Sequence, residues 1–330
     1  MNNPKQVSPV PQPPDPNFSF QVTKYNPADR NDHGAYIGAE DARSDHGPVE
    51  AAYLDAISAF AKDAGVTTLS IREPGVAGFV NFGVEPTVDG DGLLGLFPEG
   101  SDCFYDGAVV SLDVGRELVR AMLRDNGAWC RLEVDDRFAI HIGYDQYLYI
   151  GTTTSSERAI AAAHDLGLFV EPISRSPYSV WDPDDLMYPP ADAEFWTDVA
   201  GLVTEHGSLL LEANAVRNQP RWHRLTPDYL NSVRASLLPR SVLQLRPDLS
   251  TNVTEVLKLL QDDLVQVVWE DQTGRIADRY VDPEFPALFK AEMASARSAA
   301  IMSIYADESV PLLSAVLPDS DGVVRARWTQ

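Results

Sequence analysis

Residues 129–151, WCRLEVDDRFAIHIGYDQYLYIG, constrain the fold of this chain more tightly than any other stretch. Apolar and polar residues alternate there in three short runs, separated by Asp135-Asp136 and Asp145-Gln146. That is the pattern of an antiparallel meander, because side chains along a strand point to opposite faces with period two. Cys130, Leu132, Val134, Phe138, Ile140, Ile142, Leu148 and Ile150 then share one face, which must be buried. The other face carries Trp129, Arg131, Glu133, His141, Tyr147 and Tyr149 around the small residues Ala139 and Gly143. A polar and aromatic face of this kind either contacts a partner or lies under a second layer of its own domain.

The flanking sequence supplies the rest of that domain. Residues 18–25, FSFQVTKY, alternate as a strand. Gly47-Pro48 opens a helix that runs to Ala64, since proline suits the first helical turn and Gly65 suits a left-handed end. Val49, Ala52, Tyr53, Ala56, Ile57 and Phe60 share one side of it, so it covers a sheet. A strand follows at 66–72, and residues 73–107, rich in Gly, Pro and Asp, read as irregular. A stretch of that length is expected to be functional or folded back on the core. A helix near 113–126 leads into the meander. Another, capped by Ser155 or Ser156, runs to Leu166, and residues 168–173 close the domain as a strand.

The expected fold class is therefore α+β: a βαβ/αβββαβ domain over residues 18–173, preceded by a proline-rich, unstructured tail at 1–17. Pro177, Pro183, Pro189 and Pro190 mark a linker at 174–192. Beyond it, 193–218 and 227–238 read as helices. Strands at 242–246, 264–269, 275–281 and 301–305, with helices at 253–260 and 284–296, follow the βαββαβ order of a ferredoxin-like domain. A C-terminal β-hairpin pairs 312–317 with 323–328, so the second domain spans 193–330.

Charge narrows the functional classes. The chain has 26 Lys plus Arg against 49 Asp plus Glu, a formal net charge of −23. Such a field repels phosphate backbones, whose nonspecific affinity comes from Lys and Arg displacing counterions, and it attracts basic partners. Cys103 and Cys130 form neither a CxxC pair nor a zinc spacing, which fits a reducing cytoplasm. No apolar run suits a signal peptide or a membrane span, so the expectation is a cytoplasmic protein with no membrane partner.

The remaining motifs fit no catalytic or cofactor template closely. The loop 29–40, DRNDHGAYIGAE, approaches a calcium loop, with Asp29 and Asn31 at the first and third positions, glycine at the sixth and Glu40 at the twelfth. His33 stands where the fifth ligand should supply oxygen, and a strand precedes the loop, so the preferred reading is a surface loop with no metal. Asp45-His46 lies just before the first helix, where His46 would act as an acid or base oriented by Asp45, or simply shape the turn. His141, between Arg131, Glu133 and Tyr149, is the other candidate for proton transfer. The chain has no nucleophile elbow, phosphate loop or zinc-protease helix, and no cofactor is expected. The strands SVLQLRP and RIADRYV carry one aromatic residue, Tyr280, and lack the basic-aromatic signature of RNA-recognition domains.

Three segments carry a family resemblance: KYNPADRNDHGAYIG at 24–38, SDHGPVEAAYL at 44–54 and FAIHIGYDQYLYIG at 138–151. They resemble a bacterial family of largely uncharacterised small cytoplasmic proteins. The resemblance covers the N-terminal domain, and the C-terminal half matches only the longer members. Those carry the bare label RNA-binding, whereas the short ones are associated with immunity or antitoxin-like settings. The resemblance transfers no catalytic residue.

The functional expectation is a non-catalytic acidic binding protein that recognises a basic protein partner, as in toxin neutralisation. Its contacts would come from Trp129, Arg131, Glu133, His141, Tyr147, Tyr149, Asp45 and His46. RNA binding is the alternative that the family label implies. An enzyme using His46 or His141 as acid or base is the third.

Overall fold

Pro48 at the first helical position and Gly65 just past the end bracket helix α1, Pro48–Asp63, as the sequence requires. Gly65 takes a φ of 64°, and the Val66 N–H closes the end by donating to the Ala61 carbonyl at 2.8 Å. This computed structural model describes residues 17–38, 47–76, 93, 96–97, 103–135, 137–143, 147–176, 188–260, 264–281, 289, 293, 295–304 and 308–327. The proline-rich tail, most of the linker, Glu40, Asp45 and His46 lie outside the described residues.

Among the described residues the chain is a mixed α+β protein with three antiparallel sheets and six helices. It divides into two compact units. The first comprises Met1–Met187, Ala215–Gln219 and Arg325–Gln330, and the second Tyr188–Asn214 and Pro220–Val324.

In the first unit, strands β1 (Phe18–Thr23), β2 (Thr68–Val76), β3 (Val109–Ser111), β4 (Ala128–Val134), β5 (Phe138–Ile142), β6 (Leu148–Thr152) and β7 (Phe169–Ile173) form one sheet. Their order is β3-β2-β4-β5-β6-β1-β7. Helices α1, α2 (Leu112–Leu123) and α3 (Glu157–Asp165) supply the rest of the core. Register aligns Ile71, Leu132, Ile140, Ile150 and Phe20 across five strands, all buried. The face predicted to be apolar is thus the core face, and only Val134 of that set is half-buried.

Helix α1 is locked to α2 by Glu50, which is buried and accepts hydrogen bonds from Arg120 Nε at 2.9 Å and Arg124 Nε at 2.6 Å. Two features, one within and one just after residues 73–107, differ from the sequence reading. Strand β2 continues through Pro74 and Gly75 to Val76, with a register shift between Arg72 and Gly75, and the chain forms β3 directly after this stretch. The bulge tolerates Pro74 because Arg217 pairs there through the Pro74 carbonyl and the Val76 N–H, so that pairing uses no N–H of Pro74.

The second unit stacks two sheets between helices. Strands β8 (Leu209–Asn214), β9 (Arg221–Leu225), β10 (Val242–Pro247) and β14 (Leu313–Val316) form a sheet of order β14-β10-β8-β9. Strands β11 (Val265–Glu270), β12 (Ile276–Val281) and β13 (Ser298–Ser303) form the other, of order β12-β11-β13. Helices α4 (Ala193–His206) and α5 (Leu230–Ser236) pack on Leu209, Leu211, Leu243 and Leu245 of the first sheet. Helix α6 (Val253–Lys258), with the helical residues Phe289 and Met293, packs on Val267 and Ala299 of the second. Leu210, Trp222, Leu249 and Val268 fill the space between the sheets.

The second unit corrects three expectations. The helix predicted over 193–218 stops at His206, where Gly207 adopts a φ of 81°. The apolar run LLLEAN then forms β8, buried between the helices and the second sheet, and RWHRL forms β9. A ferredoxin-like domain would hold β10 to β13 in one sheet, but β10 belongs to one sheet and β11, β12 and β13 to the other. Finally, β14 pairs with β10, and residues 323–327 lie outside any strand, so the C-terminal hairpin does not form. Among the described residues no helix is long and apolar enough to cross a membrane.

This register makes a direct prediction for the two sides of the first sheet. Ile140→Ala should cost about 2–5 kcal/mol, the range for an emptied core site. Val109→Lys, at a position 69% exposed on the edge strand, should stay within about 0.5 kcal/mol. Urea denaturation of both variants checks this, and equal losses would contradict the assigned faces.

Candidate functional site

Alternation along β4 sends Cys130 and Leu132 to the helices and Trp129, Arg131 and Glu133 to the opposite side of the sheet. Pairing extends this outer face across neighbouring strands: Arg72 stands opposite Arg131, and Tyr149 is opposite both His141 and Gln21, which is opposite Glu171. The residues singled out from the meander are therefore brought together as predicted. Their exposure is the surprise. Glu133 is 3% exposed, Tyr149 5% and His141 7%, while Trp129, Arg131 and Tyr147 are half-buried. The open contact face expected from the sequence is mostly an interior.

Charges buried on this face are matched one for one. Glu73 has a φ of 51°, unusual for a residue with a side chain, and sits at the β2 bulge. Strict alternation after Arg72 would aim it at the helices. The bulge instead presents it to Arg131, with Glu73 Oε2 3.2 Å from Arg131 Nε. The Glu73 backbone N–H donates to Asp106 Oδ2 at 2.7 Å, and the fully buried Asp106 also faces Arg72 Nε at 3.3 Å. Arg327, its side chain 1% exposed, completes the set. Its Nε donates to Glu73 Oε1 at 2.8 Å and its Nη2 to Glu133 Oε1 at 2.7 Å. Arg72 Nη2 also donates to the Arg325 carbonyl at 2.7 Å, which fixes the backbone beside Arg327.

The network thus joins Arg72, Arg131 and Arg327 to Glu73, Asp106 and Glu133. Burial opposes the Arg327 charge, but Glu133 and Glu73 more than compensate and hold its pKa above the ordinary guanidinium value. Energetically such pairs differ from surface ones. An exposed pair such as Arg158–Asp63, with Arg158 85% exposed, is worth about 0–1 kcal/mol. Removing one partner of a fully buried pair costs about 3–5 kcal/mol, because the remaining charge is stranded away from water.

Beside the charges lies an aromatic row. The Trp129 and His141 rings meet edge to face at 5.3 Å, and His141 and Tyr149 lie 6.2 Å apart. Trp129 Nε1 donates to the Ile142 carbonyl at 3.4 Å. At the same end of the sheet, Tyr147 packs on Tyr25 at 6.0 Å and Tyr25 on Tyr36 at 4.8 Å. Burial, followed by the nearby Arg131 charge, pushes the His141 pKa down to about 3. The imidazole is therefore neutral at pH 7 and is not the imidazolium that a histidine general acid uses. Cys130, on the core side, is a protonated thiol because burial raises its pKa.

Of the other sequence candidates, Asp29 and Asn31 do not join this site, and Glu40, Asp45 and His46 lie outside the described residues. Asn31 accepts from the His33 and Ala35 N–H groups, both at 3.0 Å, so its oxygen organises the loop. Asp29 ends a short 3-10 turn. Among the described residues no group of three or more His, Cys, Asp or Glu is arranged to hold a metal ion. Tyr280 is 48% exposed on β12, but SVLQLRP and RIADRYV lie in different sheets and form no common base-stacking platform.

Sequence reasoning missed Arg72, Glu73, Asp106 and Arg327, four of the six members of the charge network. Only Glu73 left a local signal, since Pro74-Gly75 directly after a strand marks a bulge. No family model, curated protein or solved structure matches the chain.

The low His141 basicity sets a sign for acid stability. Between pH 6.5 and 3 the unfolded chain takes up a proton on this residue and the folded chain does not, so stability is lost as pH falls. The loss should reach about 2 kcal/mol at pH 5 relative to pH 7. Urea midpoints for the wild type and His141→Phe across this range isolate the effect. Parallel curves for the two proteins would contradict it.

Proposed function

We propose that this chain is a non-catalytic, acidic binding protein that recognises a basic protein partner, in the manner of toxin neutralisation. The observation that carries the reading is how the positive charge is placed. Arg30, Arg72, Arg116, Arg120, Arg124, Arg131, Arg158, Arg224, Arg240, Arg246, Arg297 and Arg327 are each tied to an Asp or Glu of the same chain. With 49 acidic against 26 basic residues, the charge left over is negative. A phosphate backbone needs the opposite arrangement, with Lys and Arg unengaged and clustered. Long-range attraction would speed the encounter with a basic protein, and the half-buried Trp129 and Tyr147 would supply packed contacts at the aromatic end of the sheet. The neutral, buried His141 favours binding over proton-transfer chemistry.

The test is capture from native cell extract on the immobilised chain, followed by reconstitution with each purified basic protein retained. The association rate should fall about tenfold or more between roughly 50 and 500 mM salt. Trp129→Ala and Tyr147→Ala should each weaken the complex by about 1–2 kcal/mol. Retention of single-stranded RNA at low salt, with no basic protein retained, would reverse the reading in favour of nucleic acid.

A further inference from the structure

The charge network contains an arginine site whose resident arginine comes from a segment that belongs to no sheet. Residues 323–327 have no helical or strand structure, although Ala326 and Arg327 are buried. Removing this segment would break no strand pairing. It would, however, remove one of three arginines and leave Arg72 and Arg131 facing Glu73, Asp106 and Glu133, one positive charge short.

The vacancy has a defined shape as well as a sign. Nε and Nη2 lie on one edge of a planar guanidinium, and Glu73 Oε1 and Glu133 Oε1 accept from those two nitrogens. A lysine ammonium is a point charge and cannot present that edge. One acceptor stays unused even with Arg327 in place: Glu133 Oε2 is buried and has no hydrogen-bond partner among the described residues. A guanidinium that also engaged this oxygen would satisfy the site better than the resident does.

We propose that Glu73 and Glu133 form a guanidinium-selective slot that takes an arginine side chain of a protein partner, with this chain's own Arg327 occupying it until the partner arrives. The inference rests on the reading of a basic protein partner and specifies how that partner is recognised. The resident segment then sets the affinity, because a partner can bind only the fraction of molecules from which Arg327 has left.

Thermal melting of the full-length Arg327→Ala variant with N-acetyl-arginine amide tests the slot directly. At roughly 1–10 mM the arginine amide should raise the variant's Tm by about 2 °C or more and saturate. N-acetyl-lysine amide should not do so, and wild type should respond to neither. Adding Glu133→Gln to Arg327→Ala should abolish the response. Should Arg327→Ala fail to fold, Arg327→Lys keeps the charge in place and should show the same preference for the arginine amide over wild type. No gain in any folded Arg327 variant, or an equal gain in wild type, would overturn the slot. A partner captured as above should bind the folded Arg327 variant about tenfold tighter than wild type. Tight capture by wild type with no gain in the variant refutes the slot and leaves the partner reading intact. Amide rescue with no protein captured has the reverse meaning.

Discussion

Charge neutrality in a place without water is the condition on which the first unit depends. Three helices cover one face of its seven-stranded sheet, and the other face carries arginines and carboxylates that are buried nonetheless. A buried charge without a counter-charge would cost several kcal/mol, comparable to the whole stability of a domain. The first unit meets the condition by drawing residues from distant parts of the sequence: Arg72 and Glu73 from β2, Asp106 ahead of β3, Arg131 and Glu133 from β4, and Arg327 from far along the chain. The C-terminal segment belongs to this unit for an electrostatic reason, since its one deeply buried side chain of high charge is the counter-ion of two carboxylates.

The second unit follows the same rule between its two sheets. Arg224 reaches Asp248 at 2.9 Å and Glu270 at 2.7 Å, and Glu270 also accepts from Ser298 and faces Arg297. The hydrogen bond from Arg224, working against burial, holds the Glu270 carboxyl below its usual pKa. Arg246 pairs with Glu212 at 2.8 Å, while Trp222 and Gln266 both donate to Asp278. Arginine suits these interlayer positions because its fork of donors can satisfy several acceptors while its flat body packs against neighbours. An ordinary apolar interlayer would hold two sheets together as well. A polar one also fixes their register, because each donor must meet its own acceptor.

Legibility in the sequence followed the range of the interactions involved. The meander was readable because its two-residue period is local, and so were α1, with Pro48 and Gly65 at its ends, and the core assignment of Leu132, Ile140 and Ile150. LLLEAN was not, because a continuous apolar run has no period, and leucine, glutamate and alanine favour a helix when isolated. It became a strand because both its faces are covered, by helices on one side and by the second sheet on the other. The division of β10 and β11 between two sheets is likewise a long-range choice, since the order βαββαβ is compatible with one sheet or two. The residues of the candidate face were found, but not its burial. The charge pairing of that face depends on Asp106 and Arg327, and nothing in the pattern around either of them announces a partner hundreds of residues or a whole loop away.

This difference changes what the outer face can mean. Tyr149 and His141 have the composition of a contact surface, but at 5% and 7% exposure they support the face from within. In the slot proposed above, recognition would work through groups that can change partners. Trp129 and Tyr147 are half-buried at the strand ends, and under that proposal the carboxylates of Glu73 and Glu133 would become accessible only when a charge of the right sign and shape replaced Arg327. A site of this kind would discriminate by exchange. Any group that entered would have to match the ion pair it displaced, so a neutral or lysine-bearing segment would be rejected by the cost of leaving two buried carboxylates poorly paired. Stability and the proposed selectivity would therefore draw on the same two residues. A substitution that relaxed the first, by removing a carboxylate, would erase the second.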